Sequence, residues 1–118
     1  MVITVVDREH PTTRAKLHEA ANNNFFILVK AVVDIKQEIM AIGGELHADE
    51  EVWLSEHYDS TREFTWGINL YPEKSGDAFI EFDSMINLKP QFNNRSRDIE
   101  SQEIRKQIVA IVSKLIPS

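Results

Sequence analysis

From Phe26 to Ile35 the chain changes side at every residue. Ile27, Val29, Ala31, Val33 and Ile35 form one wholly apolar face, while Phe26, Leu28, Lys30, Val32 and Asp34 form the other. A period of two is the signature of a β-strand, whose successive Cβ atoms project to opposite faces of a sheet. Lys36-Gln37 follows, and Glu38 to His47 alternates again, with Met40, Ile42 and Leu46 opposed to Ala41, Gly43, Glu45 and His47. The two runs predict a hairpin. With Ile35 opposite Glu38, Val33 falls beside Met40, Ala31 beside Ile42, Val29 beside Gly44 and Ile27 beside Leu46, so every pair is apolar or glycine. A slip of one residue would turn Met40, Ile42 and Leu46 to the wrong side, so burial of one face fixes the register. The turn lacks the Asn-Gly pair that a two-residue loop prefers, and a wider loop of the same parity also fits.

The rest of the chain is read around this pair. Val2 to Val6 predicts a first strand, and Thr12 or Thr13 caps a helix carrying Leu17, Ala20 and Ala21, which the Asn22-Asn23-Asn24 run ends. Residues 48–64 admit either a helical turn capped by Asp49 or a short strand through Val52-Trp53-Leu54, and we read them as strand or extended chain. Trp66, Ile68 and Leu70 alternate with Gly67, Asn69 and Tyr71. Ile80, Phe82, Ile86 and Leu88 alternate with Glu81, Asp83, Met85 and Asn87. These runs predict a second, half-polar hairpin with Leu70 beside Ile80, Asn69 beside Glu81, Ile68 beside Phe82 and Gly67 beside Asp83. Ser101 then caps a helix whose stripe is Ile104, Ile108, Ile111, Val112 and Leu115, and Pro117 stops it. The order β-α-β-β-(β)-β-β-α predicts an α+β fold, a two-layer sandwich in which both helices cover one face of a mainly antiparallel sheet. The first strand–helix–strand unit is expected to cross over right-handed.

A chain of 118 residues, 42% hydrophobic, suits one globular domain, 1–118, with an ordinary core. It contains no cysteine, so disulfides, thiolate metal sites and thiol nucleophiles are excluded, and a reducing, cytoplasmic setting is expected. Its apolar runs fall short of the ~20 residues that a membrane helix needs, so a soluble protein without membrane partners is expected. Charge is uneven. Residues 31–60 hold one base, Lys36, against eight acids, whereas residues 91–118 hold five bases against three acids. A pI near 5.2 and the lack of a basic stripe with interleaved aromatics argue against nucleic acid as a partner.

The densest polar run is Gly43-Gly44-Glu45-Leu46-His47-Ala48-Asp49-Glu50-Glu51. On a strand, Glu45 and His47 would share a face about 6.6 Å apart. With Asp83, or Glu81, from the second hairpin they would make a nitrogen and oxygen set suited to a divalent metal cofactor. Against this stands an ordinary cross-strand pair of Lys30 with Glu45, and the structural reading carries about twice the weight of the metal one. Gly43 and Gly44 mark a bulge or leave room for an aromatic such as Trp66. The second cluster, Asn93-Asn94-Arg95-Ser96-Arg97, would bind a phosphate or carboxylate through its arginines, or pair with the acidic segment of its own or a second chain. His10, His18 and His57 have no neighbour arranged as a base, and no phosphate loop, dinucleotide fingerprint, His-Glu-x-x-His pair or serine elbow occurs.

Several strings in the chain carry a resemblance. They are Val29 to Asp34, Ile39-Met40-Ala41 through Gly43-Gly44-Glu45-Leu46-His47-Ala48-Asp49-Glu50-Glu51, Trp66-Gly67-Ile68-Asn69-Leu70-Tyr71-Pro72, Phe82 to Asn87 and Asn94 to Arg97. Over nearly its whole length the chain resembles a bacterial family of small uncharacterised proteins of unknown function. The resemblance implies no activity. That family's middle loop is usually shorter and contains glycine, whereas Ser55 to Phe64 here has none. Two expectations follow. One is a non-catalytic binding or interaction domain, self-associating or binding a small anion, with Glu45, His47, Asn69, Asp83, Asn94, Arg95 and Arg97 as candidate ligand-binding residues. The other is a hydrolase in which a metal on Glu45, His47 and Asp83 activates water while Arg95 and Arg97 bind an anionic substrate.

Overall fold

The computed structural model describes residues 2–23 and 27–117, apart from the side chains of Asn22 and Asn23. Strands β1 (Thr4–Val6), β3 (Ile39–Ile42), β2 (Val29–Asp34), β4 (Thr65–Leu70) and β5 (Ile80–Glu81) lie side by side in that order, every neighbouring pair antiparallel. Because β1 and β2 both run against β3, they are parallel to each other. Helix α1 (Arg14–Asn23) makes the crossover between them, with Thr13 Oγ1 accepting the Lys16 N–H at 3.2 Å. Asn24 and Phe26, which the sequence places in the helix stop and the strand, lie outside the described residues.

The central register is the one that alternation predicts: Val33 pairs with Met40 and Ala31 with Ile42. The loop between them is wider, spanning residues 35–38. Asp34 shapes it by accepting the Lys36 and Gln37 N–H groups, and Glu38 closes it at φ 58° with its N–H on Asp34 O. Beyond Ile42 the ladder stops, because Gly43 turns at φ 94°. Ile27 and Leu46, expected to pair, are instead exposed, as is Glu45.

Helix α3 (Gln102–Leu115) is capped as expected, with Ser101 Oγ accepting the Ile104 N–H at 3.2 Å. Ile108, Ile111, Val112 and Leu115 are buried with Leu17 of α1 against Val33, Met40, Trp66 and Ile68. Each such side chain contributes roughly 1.5–3 kcal/mol before entropy is counted. The Thr12 N–H donates to Leu115 O at 3.0 Å, which ties the two helices on this face together.

The opposite face is where the expectations need correction. Residues 48–64 are not extended: His47–Tyr58 is a helix, α2, packed over β2 and β3, with Leu54 against Val32, Ile39, Ala41 and Ile86. Its buried positions are His47, Glu50 and Leu54. Two of the three are polar, so the helix carries no apolar period. Asp59 ends it in the left-handed region, φ 56°, a place usually taken by glycine. The second hairpin is also shorter than alternation suggests. Leu70–Ile80 and Asn69–Glu81 pair, but the strand ends at Glu81, and Met85–Asn87 forms a 3-10 turn.

Side chains complete the β4 edge where β5 stops. The Asn87 amide accepts from Gly67 N at 2.8 Å and donates to Gly67 O at 3.0 Å, as a neighbouring strand would. One step on, Lys89 Nζ donates to Thr65 O at 2.6 Å. The missing side chain at Gly67 permits this, since a Cβ there would lie 2.6 Å from Ser84 Cβ.

Candidate functional site

With α2 lying over β2 and β3, the polar residues of the sheet gather beside its N-terminus, toward β5. Asn69 is buried on β4, and its Nδ2 donates to Glu81 Oε1 at 2.8 Å and to Asp83 O at 3.1 Å. The Tyr71 hydroxyl donates to the same Glu81 oxygen at 2.9 Å. Burial, and then the hydrogen bond to Glu81, raises the Tyr71 pKa above its ordinary value and keeps the phenol protonated. Asp83 Oδ1 accepts from Arg97 Nε at 2.7 Å in a half-exposed pair. Lys30 stands across the strand from Asn69, half-buried, and makes no hydrogen bond or ion pair among the described residues.

His47 enters this cluster from α2 rather than from a strand. The strand that would have set it beside Glu45 ends at Ile42, so Glu45 lies in the exposed connection while His47 opens the helix. His47 is buried, and its Nε2 lies 2.8 Å from Ile68 O, an acceptor only, so this nitrogen carries the proton. Burial pushes its pKa below the ordinary histidine value, and Lys30 adds to this. The Ile68 carbonyl, Asp83 and Asn69 pull the other way. The ring is therefore neutral at neutral pH.

One turn along, Glu50 is fully buried. Its Oε2 accepts the Gly44 N–H at 3.0 Å, while Oε1 has no partner. Burial raises its pKa to about 9, so it too is uncharged at neutral pH. Gly44 allows this approach, because a Cβ there would come within 2.7 Å of Glu50 Cγ.

The structure thus brings together His47, Asn69, Asp83 and Arg97 and leaves Glu45 and Arg95 exposed and apart. Asn94 is buried. Its Nδ2 donates to the carbonyls of Asn87, Ser96 and Asp98, and its Oδ1 accepts the Glu100 N–H, so it shapes the loop that carries Arg97. Among the described residues no three His, Asp or Glu side chains gather as a metal ion would require. The donor set expected of Glu45, His47 and Asp83 is divided: Nε2 faces a carbonyl, Asp83 faces Arg97, and Glu45 lies outside the cluster. Lys30, Tyr71 and Glu50 are the contributors that motif reading passes over. Lys30 is legible as the cross-strand neighbour on the same face, but Glu50 gives no signal in a segment read as strand or extended chain.

Fold and site together define an α+β domain with helices on both faces of an antiparallel sheet and a charged hydrogen-bonded cluster at one edge. The chain belongs to the family described as Protein of unknown function (DUF5674), whose model matches residues 5–115. No curated protein and no solved structure matches it. No helix among the described residues is long and apolar enough to cross a membrane.

Proposed function

We propose that the protein is a non-catalytic binding domain that takes an anionic partner at the edge formed by Lys30, Asn69, Asp83 and Arg97. The observation that carries this reading is unused cationic capacity on a rigid support. Among the described residues Lys30 makes no hydrogen bond or ion pair, and Arg97 uses only its Nε–H toward Asp83, which leaves its two Nη groups available. Tyr71, Asn69 and Glu81 brace the edge through shared hydrogen bonds, so a ligand would meet positioned groups. The acid–base groups here are engaged with carbonyls or with each other, which favours recognition over proton transfer. A cysteine-free chain of this kind fits the reducing cytoplasm.

The test is a heteronuclear NMR titration with inorganic phosphate. Saturable shifts at Lys30, Asn69 and the Arg97 Nε–H, weakened at least fivefold in both Lys30→Ala and Arg97→Ala, are expected. Shifts spread evenly over all exposed lysines and arginines would overturn the reading. Sedimentation of the same samples asks whether a second copy is the partner, in which case both substitutions would also lower the apparent mass.

A further inference from the structure

On the opposite face of the molecule, between α1, β5 and the end of α3, lies a cleft of about 370 Å³ lined by Arg14, Asp77, Phe79, Val109, Val112 and Ile116, among others. Two features of it go beyond what the fold requires. The first is Arg14. Its Nη1 donates to Lys74 O at 2.8 Å and to Pro72 O at 3.3 Å, and its guanidinium lies 3.8 Å above the centre of the Phe79 ring. The group is held in one orientation by two carbonyls and an aromatic face. Yet no carboxylate lies in ion-pair range of it among the described residues, and its Nε–H and Nη2–H groups make no hydrogen bond there. The other half-buried arginine, Arg105, is paired with Asp98. In a chain with 19 acids against 13 bases, a fixed and unpaired guanidinium calls for an anion from elsewhere.

The second feature is Val109, 45% exposed on a helix whose other outward positions are mostly polar. With Val112 and Ile116 it follows the spacing i, i+3, i+7. Val112 and Ile116 belong to the core and show only their edges in the floor of the cleft, so Val109 extends the core surface outward along one wall. We propose that this cleft binds a small organic carboxylate with an apolar tail, the carboxylate on the Nε–Nη2 edge of Arg14 and the tail along Val109, Val112 and Ile116. The size falls within the range of small-molecule sites. Asp77 lies in the same lining, and its negative charge sets a limit on affinity that its removal would lift.

Hexanoate is the probe, followed through the Arg14 Nε–H and the amides of residues 109–116 by NMR. Saturable shifts are expected, with at least tenfold tighter binding than acetate, which lacks the tail, or 1-hexanol, which lacks the charge. Asp77→Asn should tighten binding several-fold. Arg14→Gln should abolish it, but Arg14 also tethers the 72–74 turn, so Val109→Glu at an exposed position serves as the second variant and should weaken binding at least tenfold. Equal response to hexanoate and acetate, or unchanged hexanoate binding in Val109→Glu, would overturn the proposal. Because the cleft shares no residue with the Lys30 and Arg97 edge, failure at one site leaves the other untouched.

Discussion

Three buried residues govern how this protein responds to pH and to substitution. Glu50 has a folded-state pKa near 9, against 4.5 for the free side chain. The folded state therefore holds its proton through a range in which the unfolded chain releases it. The stability this supplies is full below about pH 4.5 and is lost progressively as pH rises toward 9. Glu50→Gln retains an acceptor for the Gly44 N–H and removes the ionisation that favours the unfolded chain above about pH 4.5. It should stabilise the protein at pH 8 by about 1–3 kcal/mol and flatten the fall between pH 5 and 8, as read by urea unfolding at several pH values. His47 works in the other direction. Its lowered pKa means that protonation, as pH falls below the ordinary histidine value, favours the unfolded chain. Lys89 is the third. It is fully buried, with Nζ on the carbonyls of Thr65 and Arg62 and 3.8 Å above the centre of the Trp66 ring, and burial lowers its pKa to about 8. Lys89→Met keeps the bulk but strands two carbonyls, and a loss of about 2–4 kcal/mol is expected from denaturant unfolding.

Among the elements, the β1–β3 pairing depends on Gly43. Its φ of 94° is one that side chains rarely adopt, and a Cβ there would sit 2.4 Å from Val2 O. Gly43→Ala should cost on the order of 1–3 kcal/mol in urea unfolding, with faster amide exchange concentrated in β1. Which elements the sequence disclosed follows from what each one buries. The β2–β3 register was legible because a slip would have exposed Met40 and Ile42, and α3 because Ser101 and five aliphatic residues mark its start and its face. Helix α2 was illegible because its inward residues are a histidine, a glutamate and one leucine, a pattern that no hydrophobic period detects. The 80–88 segment misled for a related reason. Its alternation is real, but the hydrogen-bonding groups at Gly67 and the Thr65 carbonyl are met by the side chains of Asn87 and Lys89 in place of a strand backbone. Of the residues nominated for a site, His47, Asn69, Asp83 and Arg97 lie near one another, although His47 reaches the cluster from a helix and not from a strand.

For the molecule as a whole, the sheet carries a core on each face, a large one under α1 and α3 and a small one under α2. Strand β2 is paired on both sides and touches both cores. Hydrogen exchange should therefore be slowest in β2 and β4, intermediate in α3 and fastest in β1 and β5. Uniform protection across the five strands would show that the edges are held as firmly as the centre. The bond from Thr12 to Leu115 joins the beginning of the chain to its last helical turn. In chain order α3 is the last of the described elements, so during synthesis the fold stays unfinished until it arrives. Until then the greasy underside of the sheet would stand bare, a surface on which a chaperone could settle and from which the arriving helix must displace it.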